Sequence, residues 1–281
     1  LNDGQIIVDT ADEDKVLINL TNVNITCSNS APINIINGEV KIWSEGINTI
    51  TDGTSYIFDD VEDEEPNAAI FSKDDLTLQG PGSLTIHANF RDGVNCNDDL
   101  KISDGTNITV IAVDDGLVGN ESLEINGGNI TVNSQGDCLK VTEEEDTEKG
   151  DLQIDGGTLN LTSRSSDGLK AYRLVEVNDG TTNITTGTTR GCQGIKSDVQ
   201  VVINGGTVNV RDAYEGIEST YVQINAGNVI INAADDGINA TRNSNTVSVA
   251  IEVNGGTIDV TVGSGDTDAF DSNGDIIIND G

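Results

Sequence analysis

The chain has 281 residues, enough for one large domain or two small ones, and 48 acidic against 14 basic side chains give it a formal net charge of −34. Such a charge excludes nucleic acid and an anionic membrane as direct partners unless cations intervene. Aromatics are only 3%, which excludes extended stacking surfaces, and regular apolar alternation excludes a disordered chain.

In chain order, residues 1–30 read as an N-terminal cap. The chain begins at Leu1 without a methionine and shows no signal peptide and no transmembrane run, as expected of a processed or trimmed secreted protein. Residues 51–72 read as an acidic insertion holding Tyr56, Phe58, Asp59, Asp60 and the run Glu62-Asp63-Glu64-Glu65, and residues 142–150 as a second acidic loop. Long loops on a rigid scaffold often carry binding, although a solvated charge run explains them equally.

From residue 92 onward one motif recurs. Asp92-Gly93-Val94, Asp115-Gly116-Leu117, Asp167-Gly168-Leu169 and Asp236-Gly237-Ile238 are joined by variants at Asp137, Gln193, Glu215 and Asp268, at gaps of 21 to 32 residues. Between them lie two further alternating runs, such as Leu123/Ile125 and Ile130/Val132, separated by Asn-Gly-Gly turns of the type Asn126-Gly127-Gly128. Three short strands per repeat predict an all-β, right-handed parallel β-helix: a three-sided solenoid of roughly ten coils forming a single domain over residues 1–281. The cysteines at 27, 96, 138 and 192 form no close pair and read as buried small hydrophobes. Cys138 and Cys192, two coils apart, lie beyond the ~7 Å reach of a disulfide.

Stacking places equivalent carboxylates one strand spacing apart, ~4.8 Å, so the acidic columns need protons or cations. Asp92, Asp114, Asp115 and Asp137 converge at one corner, Glu215, Asp235, Asp236 and Asp268 at a second, and Asp74 and Asp98 stack with Glu121 at a third, where Asp75 and Asp99 lie alongside. Hard oxygen donors on a rigid backbone suit Ca²⁺, which takes 6–8 oxygens. At the third corner Asp also serves as a turn former. Beside the motif, Lys140, Lys170 and Lys196 fall in one outward column, with Arg164 and Arg190 in preceding loops. This is either an anion-binding stripe for a polymer of carboxylates or a row of counter-ions for Asp137 and Asp167. Trp43, Tyr172, Tyr214 and Tyr221 are the residues that could stack on sugars. A single histidine, His87, reads as a structural surface residue, and no Ser-His-Asp or Cys-His arrangement can be built around it.

Asp92-Gly93-Val94, Asp114-Asp115-Gly116-Leu117 and Leu139-Lys140 resemble the calcium-and-lysine corner of the β-helix polysaccharide lyases of pectate lyase family nine. The resemblance implies calcium ligation by Asp92, Asp114 and Asp115 and a proton-abstracting base in Lys140; it departs at Val118, where the lyase motif has a further acid. Over nearly the whole chain, from Ala68-Ala69-Ile70-Phe71-Ser72-Lys73-Asp74-Asp75-Leu76 through the Asn-Gly-Gly-Thr and Asp-Asp-Gly repeats, it is similar to secreted carbohydrate-binding β-helix domains. That similarity implies binding of cellulose and acidic sugars. The expectation is therefore a monomeric, calcium-binding, secreted or bacterial cell-surface protein that recognises plant cell-wall polysaccharide such as cellulose and polygalacturonate. A calcium-dependent lyase and a structural adhesive solenoid are the alternatives.

Overall fold

The computed structural model describes residues 2–11, 14–58 and 64–281. Asp59, Asp60, Glu62 and Asp63 of the acidic insertion lie outside them. Each coil contributes three strands, as in Asp92–Cys96, Asp99–Ile102 and Asn107–Ala112. Every third strand pairs with the next, giving two sheets of 11 strands and one of 10, so the solenoid has about eleven turns where the repeat suggests ten. All pairings are parallel, and among the described residues there is no helix, hence none long and apolar enough to cross a membrane.

The expected N-terminal cap takes the form of a coil of the solenoid itself. Ile6–Asp9, Lys15–Thr21 and Asn24–Cys27 pair in register with the coil that follows, because the alternation of Val16, Ile18 and Leu20 continues the ladder of Val40 and Ile42. Inward residues stack by type: Leu117, Leu139, Leu169, Ile195, Ile217 and Ile238 form one continuous register, all 0% exposed. Each such side chain contributes roughly 1.5–3 kcal/mol of burial before entropy is subtracted. The four cysteines are free and buried, and Cys96 stacks on Gly119 within this packing.

Two polar ladders tie coil to coil. At the Asp-Gly corner a carboxylate oxygen of each coil accepts the backbone N–H one coil on: Asp92 from Asp115 (3.1 Å), Asp115 from Asp137 (2.7 Å), Asp137 from Asp167 (2.9 Å), Asp167 from Gln193 (2.8 Å) and Asp236 from Asp268 (2.8 Å). At the Asn-Gly-Gly turn, side-chain amides run from Asn279 through Asn254, Asn225, Asn204 and Asn178 to Asp155, each Nδ2 donating to the preceding oxygen at 2.7–2.9 Å. The second glycine of that turn carries positive φ, +91° at Gly128, which only glycine adopts without strain.

Glycine at the Asp-Gly corner has a different cause. A Cβ on Gly116 would lie 2.4 Å from the carbonyl oxygen of Cys138 and 2.3 Å from Val132, with the next coil blocking one side and the core the other. Gly116→Ala is expected to destabilise by about 1–3 kcal/mol through overpacking. Gly156→Ala, whose Cβ would meet only the Asn126 carbonyl at 3.6 Å, is the comparison expected to leave denaturant unfolding unchanged.

In the insertion, Tyr56 is buried and stacks on Phe90 with ring centroids 4.2 Å apart. Its hydroxyl donates to Asp52 at 2.8 Å and lies 3.0 Å from the Ala68 carbonyl oxygen. Glu64 pairs with Arg91 at 2.8 Å and Glu65 with Lys73 at 3.0 Å. This end of the insertion is thus folded down against the solenoid.

Candidate functional site

The first corner is assembled by the turn into Leu117–Gly119. One carboxylate oxygen from each of Asp92, Asp114 and Asp115 lies within 4.8 Å of the others, with Asp92 and Asp115 buried and Asp114 exposed. Burial, with Asp115 and Asp114 adding to it, pushes the Asp92 carboxyl up to about 7 even though Asn95 donates to it at 2.9 Å. Burial also raises Asp115, partly offset by Lys140. Three hard oxygen donors in so small a volume, with charge left over, fit a divalent cation of the calcium type.

Asp137 stands beside this cluster. It accepts from Ser166 and from the Asp167 N–H, and it faces the lysines. Lys140, Lys170 and Lys196 are in direct register along one sheet, so they form one stripe. Lys140 Nζ lies 2.8 Å from Asp115 and 3.5 Å from Asp137; Lys170 Nζ lies 3.6 Å from both Asp137 and Asp167; Lys196 Nζ lies 3.5 Å from Glu218. Burial opposes the charge on Lys140, yet Asp115, Asp137 and Asp92 together carry its pKa above the ordinary lysine value. The stripe is at once a set of counter-ions and a partly exposed row of ammonium groups. Tyr172 and Glu144 join Lys140 and Lys170 around a shallow recess. Arg164 is exposed in its loop.

At the second corner Glu215, Asp235 and Asp236 converge within 4.8 Å. Asp268 is exposed there, its N–H donated to Asp236. Burial, and next to it a hydrogen bond with Glu218, raise the Glu215 carboxyl. A cleft of about 360 Å³ opens beside it, lined by Arg190, Gln193, Lys196, Tyr214, Glu215 and Asn239 among others. Sequence reasoning missed Gln193 and Asn239. The available signal was Gln193 itself, an amide interrupting a column of acids.

At the third corner no three carboxylate oxygens lie within 4.8 Å of one another among the described residues, unlike the other two. Asp74 accepts the Gly38 N–H, Asp75 the Asp99 N–H at 3.3 Å, and Glu121 is taken by Lys149. Asp98 is pushed up to about 6 by its partial burial and by Glu121, Asp75 and Asp74. Trp43 is 38% exposed on the outer face of its strand, remote in sequence from the lysine stripe.

A family model described as "Carbohydrate-binding domain-containing protein" matches residues 1–237 and, overlapping, 192–281. The chain belongs to this carbohydrate-binding domain family. A relative of the same description from Acetivibrio thermocellus is 40% identical over 189 residues, 66% of this chain. The chain spans 65% of that relative's length. Among solved structures, a gadolinium derivative of the polysaccharide lyase-like protein from C. thermocellum is similar at TM-score 0.65 and 39% identity, over 74% of this chain and 80% of that one. This carbohydrate-binding domain therefore has a polysaccharide lyase-like fold.

Proposed function

We propose that this carbohydrate-binding protein works outside the cell, at or beyond the bacterial surface, holding calcium at Asp92, Asp114 and Asp115 and binding acidic plant cell-wall polysaccharide, with polygalacturonate as the type ligand and cellulose as a neutral one. The observation that carries the reading is the register of Lys140, Lys170 and Lys196. Ammonium groups repeated at one strand spacing, ~4.8 Å, present a periodic cationic track on an otherwise acidic molecule, and a polymer with a carboxylate on every sugar is the ligand with matching chemistry. Calcium bound at the corner would offset the local negative charge and offer further attraction for sugar carboxylates.

Calcium-dependent lyase activity is the second reading, favoured by Lys140 standing 2.8 Å from the acidic corner. Against it, the position next to Lys140 in register is Val118, a buried apolar residue. Retention of the protein on insoluble polygalacturonate and on cellulose, with calcium or with chelator, tests the proposal. Calcium-dependent retention without cleavage is expected. Unsaturated uronide products that vanish in Lys140→Ala make the protein a lyase, and no retention in any condition leaves the corners as staples of an adhesive solenoid.

A further inference from the structure

The second corner differs from the first in the amide oxygens it adds to carboxylates that, as at the first, already accept hydrogen bonds. At the first corner both Asp92 oxygens accept protein hydrogen bonds, from the Asp115 N–H and from Asn95, and both Asp115 oxygens are engaged by the Asp137 N–H and Lys140. At the second, the ladder of Asp to next-coil N–H is interrupted at two successive coils, where Gln193 and Glu215 replace Asp. Each is one methylene longer, and their side chains contact one another and Glu218 and Asn239 instead.

The interruption leaves oxygens without partners. Gln193 is 5% exposed, and its Oε1 has no hydrogen-bond partner although its Nε2 donates to Glu218 at 2.8 Å and contacts Glu215 at 3.4 Å. Asn239 donates through Nδ2 to Glu215 at 3.0 Å, and its Oδ1 is likewise buried and unpartnered. Buried acceptors left unmatched are uncommon because each carries a desolvation cost. Both amides line the same cleft as Glu215.

We infer that Glu215, Asp235, Asp236, Gln193 and Asn239 form a second cation site, combining carboxylate and amide oxygens, that takes a calcium-type divalent ion independently of the first corner. Up to five protein oxygens on flexible stems suit Ca²⁺, whereas Mg²⁺ demands a tight octahedron and keeps most of its water. The adjoining cleft admits the ion and leaves room for water or a sugar oxygen on it. Lys196, which lines the cleft, is answered by Glu218 at 3.5 Å. The site spans the third to fifth coils beyond Asp115, roughly 14–24 Å away at the strand spacing, and does not rest on the polysaccharide reading.

Calorimetric titration of the full chain with calcium chloride alone tests it. A binding event is expected that Gln193→Leu and Asp235→Asn each weaken by about 10–100-fold, and that Asp114→Asn leaves in place. Asp235→Asn, at a half-buried position, decides the matter if Gln193→Leu does not fold. Calcium binding of unchanged affinity and stoichiometry in the folded variants overturns the inference. Polysaccharide retention, measured separately, can fail while this site stands.

Discussion

Chelation is expected to lower the melting temperature of this protein, and to lower it more at pH 8 than at pH 5. Asp92 is raised to about 7 and Asp167 to about 6, chiefly by burial, from an ordinary value of 3.8. A carboxyl whose folded pKa lies above its unfolded one contributes stability that is complete below about pH 4 and is lost as pH rises through the folded value. Between pH 4 and 7 the metal-free solenoid therefore weakens, by an amount on the order of a few kcal/mol for Asp92. Calcium held as proposed would substitute for the protons. At an excess of 100 times the dissociation constant it adds about 2.7 kcal/mol, which corresponds to roughly 5–10 °C in a chain of this size class. Thermal scans at pH 5 and 8, with and without calcium, check this. A metal-free melting temperature that rises from pH 5 to pH 8 would contradict the buried-acid account.

Replacing Lys140, Lys170 and Lys196 together by alanine is expected to abolish retention on polygalacturonate while sparing cellulose. The same substitutions remove the counter-ions of Asp115, Asp137 and Asp167, whose side chains are between 3% and 11% exposed. Breaking a buried pair from one side costs about 3–5 kcal/mol, so the metal-free variant is expected to be markedly less stable, with calcium restoring part of the loss at Asp115. Salt gives an independent check: wild-type retention on the anionic polymer falls as ionic strength screens the exposed ammonium groups, and retention on cellulose does not. Equal loss on both polymers would place recognition elsewhere than the lysine stripe.

The strands were readable because burial on one face imposes a period of two, and the Asn-Gly-Gly turns mark where each strand ends. The lysine stripe was readable too, since Lys140, Lys170 and Lys196 keep a fixed offset from the Asp-Gly corner. The role of that Asp was harder to see. Its carboxylate caps an N–H one coil away, a partner 22 to 32 residues distant whose direction depends on how the corner turns. Spacing placed Asp137 near Asp115 and offered the lysines as its counter-ions, but did not say that Lys140 also pairs with Asp115. Gln193 stood out only as an amide in a column of acids, and Asn239 was silent, for a chemical reason: an amide signals a ligand only when its oxygen is found without a donor.

The row of asparagines at the turns has a sense of direction. All five amide links, from Asn279 down to Asn178, point their N–H groups toward Asp155, which also accepts from Gln153 and is held below the usual carboxylate range by these hydrogen bonds. Aligned amides polarise one another, so the negative charge at Asp155 biases the orientation of dipoles over five coils. The solenoid thereby carries along one edge an electrical polarity that its stacked, near-identical repeats would not otherwise possess.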